Sequence, residues 1–371
     1  MSEEGPRPVG RIDRFQRRHP VVGFPIAVVY KYFDDQGAYL SAILTYYAFI
    51  AIFPLLLLST SILGFVLQGD DALRDRLIDS ALSQFPIIGD QLGRPEGLQG
   101  STGAIIAGGL TATYGAMGLG QAIQNAANIA WSVPRNSRAN PFLLRLRSLA
   151  FLSIGGLGIL ALAIVTSVLS NPDAIGTNLE PTLERLVQVA SFLLTVMIFA
   201  AIFRLVSLGR AKLRSVLPGA FVTGVLWQGL QWVGNTYVRE VIGKADDQVN
   251  QTFALVLGLM AFIYIASIMV VLGLEVNVVR RRRLYPRALL TPFTDNVILT
   301  DADQKAYAAY AKSQRHKGFQ SVEVTFEERT PREHVDRTEP IDHADRTERI
   351  ERTVPLDRVE PQPQDAPSDR P

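Results

Sequence analysis

Residues 42–67 read AILTYYAFIAIFPLLLLSTSILGFVL, an unbroken run without Asp, Glu, Lys, Arg or His. A helix needs about 20 apolar residues to span the hydrocarbon core of a bilayer, and this run is longer. Leu, Ile, Val and Phe each favour insertion by roughly 0.3–0.6 kcal/mol near a membrane centre. That outweighs Thr45, Ser59, Thr60 and Ser61, whose hydroxyls bond back to their own helix. The chain therefore reads as membrane-embedded.

Outward from this stretch the pattern recurs. Hydrophobic residues make up 48% of the 371 positions and charged ones only 19%, below the usual quarter, and the apolar residues are clumped. Six blocks result, with spans near 42–67, 102–129, 148–170, 186–208, 215–238 and 252–279. Long apolar runs exclude a barrel, whose strands alternate over short segments. Lysine and arginine concentrate on the cytoplasmic side of membrane helices. Arg135, Arg138, Arg145 and Arg147 lie between spans two and three. Arg210, Lys212 and Arg214 lie between four and five, and Arg280 to Arg283 and Arg287 follow span six. The other connectors are richer in acid. The expected fold is all-α and polytopic, with six transmembrane helices and both termini cytoplasmic. Three regions follow: a basic tail with an interfacial segment (1–36), the six-helix domain (37–283), and a charged, largely disordered tail (284–371). No cleavable signal peptide is visible.

The flanking segments carry further expectations. Pro20 and Pro25 are read as breaking any helix near the N-terminus. Residues 24–33 (FPIAVVYKYF) either lie in the interface with Tyr30, Lys31 and Tyr32 toward headgroups or lead directly into span one. In the long connector 68–100, Leu73, Leu77, Ala81 and Phe85 repeat at helical spacing. Residues 284–310 hold short helical pieces, and from about Lys312 the composition predicts disorder. Asp-Arg-Thr-Glu occurs twice there, at 336–339 and 345–348. A solvated polyampholyte explains it; the functional alternative is phosphorylation at Thr330, Thr338, Thr347 and Thr353.

Polar side chains at membrane depth are costly and mark function or packing. In span two, Ala112, Ala116, Gly120, Gln124 and Asn128 share a face, with Gln121 and Asn125 beside it. In span five, Gly219, Thr223, Trp227, Gln231 and Asn235 do the same, with Gln228 adjacent. Interhelical hydrogen bonds account for such stripes; a polar path lined by spans two, five and six is the functional reading. Glu275 and Asn277 near the end of span six and Arg204 at the end of span four fall at one depth, so Glu275 and Arg204 are candidate ion-pair partners, against pairing of Glu275 with water or the following arginines. Pro54 inside span one predicts a kink.

These residues resemble the YihY/BrkB family of bacterial inner-membrane proteins, once labelled ribonuclease BN. The likeness lies in Leu44-Thr45-Tyr46-Tyr47-Ala48 with Phe53-Pro54-Leu55, in Gln124-Asn125-Ala126-Ala127-Asn128-Ile129-Ala130-Trp131, in Leu217-Pro218-Gly219-Ala220, and in Leu272-Gly273-Leu274-Glu275-Val276-Asn277. Leu274 and Val276 depart from the family's Gly-Ala-Glu-Leu-Asn ending. The resemblance covers about residues 24–283 and implies a six-helix fold in the bacterial plasma (inner) membrane with a transport or envelope role.

The residues argue against the older nuclease label. Metal-assisted phosphodiester hydrolysis needs clustered His, Asp or Glu, whereas the four histidines (His19, His316, His334, His343) all lie in the tails. With no cysteine and no Walker A motif, no enzyme activity, metal or cofactor is expected. The arginine clusters suit anionic lipid headgroups, not nucleic acid, and a homo-oligomer is compatible with this reading. Two functions compete: a transporter or permease of a small molecule or lipid, and a non-transporting envelope scaffold that recruits partners through its basic face and tail.

Overall fold

The computed structural model describes residues 10–66, 102–170, 181–207, 212–242, 248–291 and 297–326. The expected connector helix near 73–85, the Asp-Arg-Thr-Glu repeats and the four threonines lie outside the described residues. Every regular element among those described is helical: α1 (Arg11–Arg18), α2 (Pro20–Asp34), α3 (Gly37–Val66), α4 (Thr102–Ala130), α5 (Pro141–Ser170), α6 (Pro181–Val206), α7 (Leu213–Tyr237), α8 (Gln248–Arg282) and α9 (Asp301–Ser313), with a π-helical turn Val238–Ile242 after α7.

Helices α3 to α8 form the bundle. Each packs against its neighbour in sequence, and α8 returns to pack on α3. Three helices have described portions long and apolar enough to cross a membrane: Pro141–Leu162 in α5, Gln188–Val206 in α6 and Phe253–Arg282 in α8. Gly37–Ile52 of α3 is a shorter apolar helix. Helix α7 is not among the three. Its Gln228, Gln231 and Asn235 dilute an otherwise apolar segment.

Small residues set the close approaches. Gly118 of α4 packs against the Tyr47 ring of α3, and Gly120 against Ser148 of α5. A Cβ on Gly219 of α7 would overlap the carbonyl of Gly273 and the side chain of Asn277 on α8, and one on Gly273 would overlap Thr223. Trp227 sits between Phe199 and Phe262 at centroid distances of 6.2 and 5.9 Å, so it is a packing residue. Trp232 is exposed.

Pairings across the helices show their directions. Ala51 and Tyr47 of α3 meet Gly115 and Gly118 of α4. Gln124 of α4 meets Leu144 and Ser148 of α5. Asn277 of α8 meets Gly219 of α7, while Ala254 meets Tyr237. Each of these pairs is antiparallel. The arginine-rich ends of α4, α5, α7 and α8 therefore gather at one end of the bundle, called here the basic end.

Pro20 and Pro25 act differently. Pro20 occupies the first turn of α2, where its missing N–H costs nothing. Pro25 lies inside α2, which continues through it to Asp34, so the expected break does not occur there. Burial of Ala27, Val28 and Lys31 in a helix that packs against α8 offsets the lost bond. Asp35 and Gln36 then turn the chain into α3, with Gln36 at φ 56°. Helix α3 is continuous across Pro54; the side chain there lies outside the described residues.

Candidate functional site

Two helices end at the basic end in the same way. At the C-terminus of α4, the Ser132 amide donates to Ile129 O (2.7 Å) and the Val133 amide to Asn128 O (2.8 Å). This is a Schellman motif, in which the residue after the cap adopts a left-handed conformation to satisfy orphan carbonyls. Ser132 supplies it at φ 45°, and Val133 is buried against the bundle. At the C-terminus of α8, the Leu284 amide donates to Val279 O (3.0 Å), with Arg283 at φ 53° and Leu284 buried. The Arg282 guanidinium donates to Trp131 O and ties the two ends together. Tight stops on both helices bring Asn128, Glu275 and Asn277 to the same end.

The sequence-nominated residues divide into two sets. Gln124, Asn128, Glu275 and Asn277 are buried, each at 4% exposure or less. The Gln124 amide nitrogen lies within hydrogen-bond reach of Gly120 O (2.9 Å), Leu144 O (3.1 Å) and Ser148 Oγ (3.1 Å), linking α4 to α5. Asn277 Oδ1 accepts the Gly219 amide at 2.8 Å. The asparagine thereby links α8 to the α7 backbone one residue after Pro218. Each of the four side chains nonetheless keeps a buried polar atom without a hydrogen-bond partner, Gln124 Oε1, Asn128 Oδ1, Asn277 Nδ2 and Glu275 Oε1, while Glu275 Oε2 has only an ion-pair contact. The second set faces outward. Gln121, Asn125, Arg204 and Gln228 are exposed, Gln231 is half-buried, and Asn125 accepts from Arg138 at 3.2 Å.

The expected pairing of Arg204 with Glu275 is not formed. Arg204 lies on the outward face of α6, and the cation beside Glu275 is Lys31 of α2, at 3.4 Å from Oε2. Nor does Lys31 reach toward headgroups: its side chain is 1% exposed. It pairs with Asp35, one turn further along α2, and lies 5.0 Å from the centre of the Tyr310 ring. Four-residue spacing on a helix places Lys31 and Asp35 side by side, and packing of α2 on α8 brings Glu275 to them.

A second ionic group adjoins the first. Arg287, fully buried, donates from Nε to Asp303 and from Nη2 to Asp34 at 2.9 Å. Its guanidinium lies 5.3 Å from the Tyr307 ring. Burial alone would lower the Arg287 pKa, but the Asp303 and Asp34 carboxylates outweigh it and raise it. Asp303 also accepts the amides of Ala288 and Thr300, both at 2.9 Å. Thr300 returns the favour as N-cap of α9, accepting the Asp303 amide at 3.2 Å in a reciprocal capping box. On the other side, Gln16 of α1 donates to the Arg287 carbonyl, and Asp13 accepts the Leu289 amide at 3.3 Å. Burial raises the Asp34 carboxyl despite Arg287 beside it. Burial, reinforced by Asp34, pushes the Tyr307 phenol up to about 12.

Sequence reasoning missed Lys31, Asp34, Asp35, Arg287 and Asp303. Two local signals for them were present: the Lys31–Asp35 spacing and the Thr300-x-x-Asp303 capping pattern. Nothing local could show that Arg287, one more arginine after a basic run, turns inward. Among the described residues no group of three or more His, Cys, Asp or Glu is placed to hold a metal ion.

A helical bundle with membrane-length apolar helices and a concentration of arginine at one end is the architecture of a membrane protein. The family model described as Virulence factor BrkB matches residues 28–295, and the chain belongs to that family. No curated protein and no solved structure matches it. The matched region takes in the latter part of α2, α3 to α8 and Arg287, and stops before Asp303.

Proposed function

We propose that this BrkB-family protein is a transporter or permease of the bacterial plasma (inner) membrane. Helices α3 to α8 cross six times, with both termini cytoplasmic and the basic end facing the cytoplasm. The observation that carries the reading is the set of buried, incompletely bonded polar groups on α4 and α8. Orphaned polar atoms cost roughly 1–3 kcal/mol each, and membrane helices concentrate such groups where a substrate or ion passes. The gathering of arginines at one end supports the orientation and suits anionic headgroups of the inner leaflet.

The test is flux in proteoliposomes over a panel of solutes and lipids. Transport should appear for one class and fall at least tenfold in Asn128→Leu and Glu275→Gln, with both variants still folded. An absence of flux across the panel would overturn this reading. The scaffold reading draws support from α9, which is docked to the basic end by ionic contacts. It expects removal of the chain beyond Lys312 to abolish the cellular role while the bundle stays folded, whereas the transport reading expects flux to survive that truncation. A reporter fused after Arg287 that is active only when exported would overturn the orientation.

A further inference from the structure

Helix α1 is folded with its polar side inward. Asp13 and Gln16 are buried and engage Leu289 and Arg287. Satisfying these polar groups inside leaves Ile12 and Phe15 outside, 74% and 54% exposed. The exposed apolar line continues on α2 through Val22, Val29 and Phe33. Within each helix the exposed positions keep helical spacing, 12 and 15 on α1 and 22, 29 and 33 on α2, and between them the extended His19 stacks on Phe15 at 4.2 Å. Arg11, Arg14 and Arg18 are exposed on α1 beside this line. After the two-residue turn, exposure of Tyr39, Ile43, Tyr46 and Ile50 carries the apolar face onto α3, an apolar bundle helix.

We infer that α1 and α2 form an in-plane docking element that lays this apolar line into an anionic bilayer surface, with Arg11, Arg14 and Arg18 on the lipid phosphates. Two observations select this occupant. The line is continuous with the outward apolar face of α3, so the surface that meets α3 also meets α2. The flanking charge is wholly basic on the exposed side of α1, because its one acid, Asp13, is turned inward. An apolar face rimmed by arginine is the pattern of interfacial helices. Within residues 24–33 it is Val29 and Phe33 that point to lipid, while Lys31 points into the protein. This docking needs only that the protein sits in a membrane, not that it transports.

The chain has no cysteine, so single-cysteine labelling needs no background removal. The full chain is reconstituted in vesicles with an environment-sensitive probe on Phe15→Cys or Val22→Cys, and quenching by lipids carrying shallow nitroxides is read. Gln320→Cys is the exposed control outside the element. Strong quenching at 15 and 22 in anionic vesicles, little at 320, is expected. Each arginine near an anionic surface is worth about fivefold in association, so added salt should lower the wild-type quenched fraction, and replacing Arg11, Arg14 and Arg18 with Gln should lower it and remove most of that salt dependence. Absence of quenching at 15 and 22 overturns the proposal. Equal quenching in neutral vesicles overturns the anionic part, and crosslinking of position 15 between copies in place of quenching assigns the face to a second copy of the chain. Flux measured in the same vesicles separates this proposal from the transport reading: quenching without flux leaves docking standing alone.

Discussion

The Arg287–Asp303 pair makes a sharp prediction because its contributions can be counted. Asp303→Ala removes the partner of the Arg287 Nε and the acceptor of the Ala288 and Thr300 amides. It also dismantles the capping box that starts α9. Breaking a buried ion pair by removing one partner costs about 3–5 kcal/mol, and loss of a helix N-cap interaction costs about 1 kcal/mol. Asp34 stays on Arg287 and retains part of the pairing, so a loss near 3 kcal/mol is expected. Hydrogen exchange at Ala288 and Thr300 reads this directly, since local opening sets their protection. A loss near 3 kcal/mol corresponds to roughly hundredfold faster exchange. The double variant Arg287→Met with Asp303→Ala removes the orphaned charge as well and should recover part of the protection, giving a large interaction energy in the cycle. Protection unchanged within threefold in Asp303→Ala, or a double variant equal to the sum of its parts, would refute the argument that this pair docks α9.

Other outcomes follow from the same structure. Lys31→Met leaves Asp35 and Glu275 without their shared cation. It should lower resistance to unfolding in mixed detergent micelles by about 3 kcal/mol, with partial rescue by Glu275→Gln; a change under about 1 kcal/mol would count against the triad. Gly219→Ala should destabilise the α7–α8 contact by about 1–3 kcal/mol through overpacking. Gly229→Ala, with open space at its Cβ, should be neutral or slightly stabilising in the same assay. Burial holds the Asp34 carboxyl above its usual 3.8 in the folded protein, so the folded state keeps a proton the unfolded state has released. Its contribution to stability is fully present below 3.8 and is lost as pH rises through the raised value. The stability difference between wild type and Asp34→Asn should therefore shrink with rising pH across the acid range; growth of that difference instead would mean that attraction to Arg287 outweighs burial.

Much of the architecture was legible because membranes impose simple rules. A long uncharged run admits one backbone solution, a helix with its hydrogen bonds closed internally, and the small-polar stripe on α4 identified its buried face correctly: Ala116, Gly120, Gln124 and Asn128 are all buried. The α7 stripe fared less uniformly. Gly219 and Thr223 are buried, but Asn235 and the adjacent Gln228 are exposed, although Tyr237 beyond them still meets Ala254 of α8. Charge alone misled where the chain leaves the bundle. Lys31 and Arg287 look like residues for headgroups or topology, and both are drawn inward by carboxylates on other elements.

The sequence by itself determined that this chain is a helical membrane protein of the BrkB type, since hydropathy, turn chemistry and local motifs act within a few residues. Only the tertiary structure decided which cation neutralises Glu275, where Arg287 points and which side of α1 faces out. Those outcomes depend on groups far apart in the chain, 271 positions for Gln16 and the Arg287 carbonyl, where burial makes each charge seek whichever opposite charge the packing brings within reach.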